Sequence, residues 1–154
     1  MFRPLLISLC LTSTALATTW TVDDDGKADF DNIQAAVNAA SDGDEIIVSP
    51  GTYTSTGDEV VNMLGKAVWL RGSEGAEVTI IDGEGTRRGI VCTSSETSKT
   101  IFEGLTITNG FASGSGGGGG MYNSSNPTVI GCVFVNNVAS AGGGMSNYSS
   151  NSVI

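Results

Sequence analysis

Apolar residues recur along this chain in two rhythms. Ile33, Ala36, Val37 and Ala40 are spaced three and four apart, which places them on one face of a helix. The pattern predicts a helix from Asn32 to Ala40. Asp31 stands where an N-cap belongs, with Gln34 three residues on to complete a capping box and Phe30 before the cap as a hydrophobic staple. Asp42-Gly43 is the expected stop, because glycine enters the left-handed region without a Cβ penalty. Beyond the helix the apolar residues shorten into β-rich runs between turn signals. Glu45-Ile46-Ile47-Val48 leads into Pro50-Gly51, Ala67-Val68-Trp69-Leu70 into Arg71-Gly72, and Val78-Thr79-Ile80-Ile81 into Asp82-Gly83. Val60-Val61, Ile90-Val91-Cys92, Ile101 to Ile107 and Val129 to Phe134 are further runs of this kind.

These runs repeat. The stretch Gly118 to Ile130 returns without a gap as Gly142 to Ile154, with eight of thirteen positions identical, Met121 and Met145 among them. Phe102, Gly104, Leu105, Ile107 and Asn109 match Val129, Gly131, Cys132, Phe134 and Asn136 at an offset of 27 residues, and Val68 is set against Ile46 at 22. Periods of this length mark stacked units too small to bury an apolar face alone. The expected fold is all-β: a right-handed parallel β-helix, or solenoid, with a short N-terminal capping α-helix. Leu105 is expected over Cys132 and Ile107 over Phe134, with Gly, Asn and Ser at corners that need positive φ.

Composition sharpens this picture. The 154 residues include no His and 22 Gly, and the formal charge is −9. That acidity argues against nucleic acid or an anionic membrane as partner. Every Asp, Glu, Lys and Arg lies at or before Glu103, and residues 104–154 hold 12 of the 22 glycines. A low-complexity linker has that composition too, but it has no reason to keep Val, Ile, Phe and Leu in register with a repeat. Residues 1–17 read as a secretory signal peptide: Arg3, an apolar run from Leu5 to Leu16, and Ala15-Leu16-Ala17 as the cleavage signal. The domain reading is therefore a signal peptide over 1–17, an N-terminal cap over 18–44, and β-helix coils over 45–154, broken off inside a repeat as in a fragment. The expected location is secreted or at the cell surface. A membrane enters only through missing C-terminal parts.

Asp29 to Ala40, then Asp42 to Val48, then Pro50-Gly51-Thr52-Tyr53, resembles the opening of the pectin-lyase-like parallel β-helix proteins, and pectin methylesterases begin in a similar way. Gly104-Leu105-Thr106-Ile107-Thr108-Asn109-Gly110 is similar to a later stretch of that superfamily. Phe134-Val135-Asn136-Asn137, followed by Gly142-Gly143-Gly144-Met145, resembles the FxxN and GGAI repeats of polymorphic outer-membrane proteins, with Gly for Ala and Met for Ile. The resemblance implies the fold. It leaves function open, because this scaffold hosts lyases, esterases, hydrolases and non-catalytic surface proteins.

No catalytic set assembles from the sequence. The hydrolases of the superfamily use a His and the methylesterases use Asp and Arg on later coils. Here residues 104–154 carry neither Asp nor Arg, and the chain carries no His. Asp82-Gly83-Glu84-Gly85-Thr86-Arg87-Arg88 is the one place where acids and bases cluster, and a solvated turn is its plainer reading. Asp23-Asp24-Asp25-Gly26 lacks EF-hand spacing and reads as an acidic turn closed by glycine. Gly114–Gly120 lacks the GK[ST] of a phosphate loop and reads as a lengthened corner. An oxidising compartment permits a bridge between Cys92 and Cys132, and two core thiols are the preferred reading. Asn123 and Asn147 head N-x-S triplets, but their repeated position favours a stacked Asn ladder. By strand alternation Trp69 points outward, and with Tyr122 and Tyr148 it is a candidate aromatic strip for sugar stacking. The sequence thus predicts no catalytic, cofactor-binding or metal-binding residues and no cofactor. It predicts a non-catalytic, adhesive or carbohydrate-facing module whose partners are polysaccharides or cell-surface glycans. The alternative is the N-terminal fragment of a pectate-lyase- or pectinesterase-like enzyme lacking its catalytic coils.

Overall fold

The computed structural model describes residues 16–114 and 116–148. The chain winds into a parallel β-solenoid of about five turns. The first turn holds β1 (Thr19–Val22) and the helix α1 (Ile33–Ala39). The second holds β2 (Glu45–Val48), β3 (Gly51–Tyr53) and β4 (Glu59–Asn62), and the third β5 (Trp69–Gly72), β6 (Thr79–Asp82) and β7 (Arg88–Cys92). The fourth holds β8 (Ile101–Glu103), β9 (Thr106–Thr108), β10 (Phe111–Ala112) and β11 (Met121–Asn123). The fifth repeats that set as β12 (Thr128–Ile130), β13 (Val133–Val135), β14 (Val138–Ala139) and β15 (Met145–Asn147). Like strands stack in order: β1-β2-β5-β8-β12, β3-β6-β9-β13 and β4-β7-β11-β15, with β10-β14 as a small fourth ladder. All these pairings are parallel.

Register follows the repeats closely in the last two turns. Phe102 pairs with Val129, Ile107 with Phe134, and Met121 with Met145. At one pair of turns the spacing differs. Ile46 pairs with Leu70, two residues beyond the expected Val68. Both Val68 and Leu70 are fully buried, so the apolar pattern alone did not distinguish them. The core is the stack of inward side chains from successive turns, including Ile46, Leu70 and Phe102 in one column and Ile81 and Ile107 in another. Gly104 and Gly131 have φ +60 and +56, and Asn109 and Asn136 have φ +51 and +56. The same corners therefore recur in successive turns with the same backbone demand.

The helix is one residue shorter at each end than predicted, and its caps differ. Asn32 is the N-cap, and its side-chain oxygen accepts from Ala35 N at 2.8 Å. Asp31 instead accepts from the Asn32 side chain. Gln34 turns away from the cap: its amide accepts from Asn62 N at 2.7 Å and donates to Asn62 O at 3.1 Å. Phe30 bridges to Val22 and packs on Trp20. Gly43 has φ +93 but lies in the following turn, so it does not close the helix. The helix ends at Ala39, where Lys66 Nζ donates to the carbonyls of Val37, Asn38 and Ala40 at 2.7–2.8 Å. These carbonyls lack intrahelical donors, and a lysine from the neighbouring turn supplies three N–H groups at once.

The acidic turn is as predicted, with Gly26 N bonded to Asp23 O and Gly26 at φ +78. Cys92 is fully buried and Cys132 partly so, and both are free thiols. The signal-peptide reading of residues 1–17 falls, except for its last two residues, outside the described residues.

Candidate functional site

Trp69 opens β5, between Val68 and Leu70. Both neighbours are fully buried, so strand alternation turns the indole outward, 38% exposed. Three side chains of the same sheet hold it. Glu103 accepts from its Nε1 at 3.0 Å, and the Arg71 guanidinium lies 5.3 Å from the ring centroid. Arg71 Nε is in turn paired with Glu45 Oε1 at 2.6 Å. Glu45, Trp69 and Arg71 sit on β2 and β5, and Glu103 on β8, so three turns contribute to one fixed aromatic platform. A ring held at its edge and stacked by a cation loses little rotamer freedom when a ligand lands on it.

Beside the indole lies a cleft of about 790 Å³, where the chain turns into this sheet in three successive turns. Trp69 and Ile101 form its apolar part, and Thr97, Ser98 and Lys99 its exposed polar part. Asp42 and Asp44 also line it, but both are engaged. Asp42 accepts from Ala67 N at 2.9 Å. Asp44 is nearly buried and accepts from Ser41 N, Thr18 N and the Trp20 indole. Those backbone N–H bonds, Ser41 first and Thr18 next, hold its carboxyl below the usual range. Glu96 pins the loops beside the cleft. Fully enclosed, it accepts from Gly65 N, Ser94 N and Ser125 Oγ at 2.7–3.0 Å, which ties three successive corners together. A polar cleft with one apolar wall is suited to a ligand rich in hydroxyls with one apolar face. Asp44 is held by two backbone N–H groups and the Trp20 indole, and the exposed Asp42 by one backbone N–H.

The expected aromatic strip does not form. Trp69 belongs to the β1-β2-β5-β8-β12 sheet, whereas Tyr122 lies on β11, in another sheet. Tyr148 follows β15 in that second sheet and is 68% exposed. Of the three rings, Trp69 is the one that lines this cleft. The Asn ladder does form: Asn123 Nδ2 donates to Asn147 Oδ1 at 2.9 Å. Asn123 is fully buried, which leaves that triplet no exposed amide for a glycan.

The acid–base cluster at 82–88 keeps one ion pair and sends its other charged groups to other turns. Asp82 accepts from Asn109 Nδ2 at 3.1–3.2 Å, one turn away. Glu84 pairs with Arg87, and the Arg88 guanidinium stacks on Tyr122, 5.0 Å from its centroid. Among the described residues, no group of three or more His, Cys, Asp or Glu is placed to hold a metal. Burial pushes both thiols up, Cys92 strongly with the Glu96 charge adding to it, so neither is a ready nucleophile.

The sequence pointed to Trp69 but missed Arg71, Glu45, Glu103, Glu96 and Lys66. Arg71 lies two residues from Trp69 on the same strand, but the other contacts of these residues, the local Ser94 bond apart, reach 26 to 34 positions away, where no short-range pattern announces them. No family model matches the chain, and no curated protein matches it.

Proposed function

We propose that this chain is a non-catalytic β-solenoid module of a secreted or cell-surface protein, and that its Trp69 cleft faces carbohydrate. The reading rests on one observation: an exposed indole held by Glu103 and Arg71 at the rim of a cleft lined by the hydroxyls of Ser95, Thr97 and Ser98 and by Lys99. Sugar rings present C–H faces that pack on indole and hydroxyls that satisfy polar side chains. The pectin-lyase-like character of residues 29–53 and the FxxN-type repeats near the end of the chain agree with a surface role for such a scaffold. They belong to this proposal and carry less weight than the cleft.

The test is titration of neutral and acidic oligosaccharides into the protein, followed by Trp fluorescence and by chemical shifts of the Thr97–Ile101 amides. Trp69→Ala is expected to weaken binding at least tenfold while the far-UV dichroism is unchanged. Binding indifferent to Trp69→Ala overturns the glycan-facing reading. Depolymerisation of a polysaccharide by this chain overturns the non-catalytic one.

A further inference from the structure

A second hollow, of about 390 Å³, lies where the chain turns from β6 into β7, on a different part of the solenoid from the Trp69 cleft. Arg87, Arg88, Asp58, Thr86, Phe111 and Ser113 line it, drawn from three successive turns. Its two guanidiniums differ. Arg87 is committed: it pairs with Glu84 and donates from Nε to Gly57 O at 3.1 Å. Arg88 has no carboxylate partner among the described residues. Among the described residues its side chain makes one hydrogen bond, a long one of 3.4 Å from a terminal nitrogen to Gly116 O, and its Nε is buried without an acceptor. Tyr122 stacks against the guanidinium and holds its plane. A half-buried cation with unspent donors is a receptor for an oxyanion.

The neighbours narrow the ligand. Asp58 in the hollow and Glu84, the partner of Arg87, are exposed carboxylates, and the whole chain carries −9, so a polyanion is repelled while a single carboxylate is tolerated. Phe111 forms one wall, 38% exposed, and in the parallel ladder it stands beside Val138, 58% exposed. On the far side of Phe111 lies another hollow, of about 550 Å³, shared with Val138 and Asn136. The charged and apolar surfaces are thus contiguous through one ring.

We infer that the Arg88–Phe111 hollow binds a monoanionic carboxylate attached to a flat apolar body. The carboxylate sits against Arg88 and the apolar body against Phe111 and Val138. Such a group comes from a small aromatic acid or from the C-terminus of a peptide ending in an aromatic residue, and the recognition chemistry is the same for both. This inference does not depend on the glycan reading, because it involves neither Trp69 nor its cleft.

The experiment is NMR titration of the full chain with benzoate, N-acetyl-phenylalanine, acetate and sulfate, followed at the amides of Gly89, Phe111, Ala112 and Ser113. Benzoate is expected to bind about tenfold more tightly than acetate, the increment for covering one aromatic ring. Phe111→Ser should abolish that difference, and Arg88→Gln should remove both responses. Lys99→Gln, which removes one positive charge at the Trp69 cleft and outside this hollow, should leave the affinity unchanged and serves as the control. A stronger response to N-acetyl-phenylalanine than to benzoate assigns the peptide terminus, and the reverse assigns the small acid. Equal responses to benzoate, acetate and sulfate overturn the inference, as does binding that survives Arg88→Gln or maps to the Trp69 cleft.

Discussion

The N-terminal end of the solenoid and its fourth and fifth turns satisfy backbone groups with different chemistry. A strand at the end of a parallel stack exposes a row of N–H and C=O groups that invites pairing with another chain. At the N-terminal end, side chains occupy those groups. Asp29 accepts from the N–H and hydroxyl of Thr21 on β1, Asp24 from Thr52 N on β3, and Gln34 takes both backbone groups of Asn62 on β4. The helix lies over this end, with its own carbonyls held by Lys66.

In the fourth and fifth turns, backbone stacks directly on backbone. Gly119 O accepts from Gly89 N, Gly120 N donates to Gly143 O, and Met121 N to Gly144 O. Asn137, the Asn of the FxxN-like stretch, adds a bridge from its side chain to Gly110 N and Ile107 O. A Cβ on Gly119 would stand 2.4 Å from Val138 O, and one on Gly120 2.4 Å from Gly144 O. The charged half of the chain closes edges with long polar side chains. The uncharged half removes side chains so that turns approach closely.

The largest effect that tests this contrast is a methyl group in the glycine layer. Gly119→Ala is expected to cost about 3 kcal/mol, because the carbonyls it meets are themselves fixed in ladders. Gly85→Ala is the matched control. Its site is open and its only penalty is φ +67, worth about 1–2 kcal/mol. Urea midpoints at constant m-value measure both. If the two substitutions cost the same, close approach is not what the glycines provide.

Lys66→Met comes next, at about 2 kcal/mol, since it withdraws charged donors from three carbonyls and keeps the apolar stem. Hydrogen exchange should quicken in Ile33–Ala39 while the amides of Met121–Asn123 stay protected. Equal loosening at both ends would show that the solenoid opens as one unit.

The smallest effect comes from pH. The Thr21 hydroxyl, then its N–H, hold the Asp29 carboxyl below the ordinary range, and backbone N–H groups do the same for Asp44. A depressed folded-state pKa gives stabilisation that is complete above the unfolded value of about 3.9 and is lost as pH falls through the folded one. Acidification below about pH 4 should therefore loosen the first turn, seen as faster exchange in Thr19–Val22. Residues 104–148 contain no carboxylate side chain and should respond last. At alkaline pH the second turn is the sensitive one, through Tyr53 at the end of β3. Burial, with the Asp24 charge adding to it, pushes the Tyr53 phenol up to about 12. Its contribution is complete below pH 10 and is lost as pH rises through 12.

Much of the architecture was legible because solenoid turns are nearly self-similar. The match of Phe102, Leu105 and Ile107 to Val129, Cys132 and Phe134 predicts which side chains stack, and Phe102 with Val129 and Ile107 with Phe134 do pair. Register failed where self-similarity failed, at Ile46: its partner is Leu70, and the equally buried Val68 on the other side of Trp69 carries the same apolar signal. Gln34 was misread for a related reason. Its spacing from Asp31 fits a local capping box, but a strand edge 28 residues away made the stronger claim on its amide. The candidate site was legible only as the outward turn of Trp69.

By itself, then, the sequence determined the period, the parallel stack, the corner residues and the outward direction of one indole. Each of these depends on spacing along the chain. The tertiary structure decided what surrounds them: the Glu45–Arg71–Trp69–Glu103 set, the Glu96 pin, the Lys66 clamp and the lone Arg88 beside Phe111. Those partners come from different turns, joined by corners of unequal length. The in-register offset is 24 residues from Glu45 to Trp69 and 32 from Trp69 to Ile101. Side chains meet across the stack according to where each corner returns the backbone, and only folding fixes that.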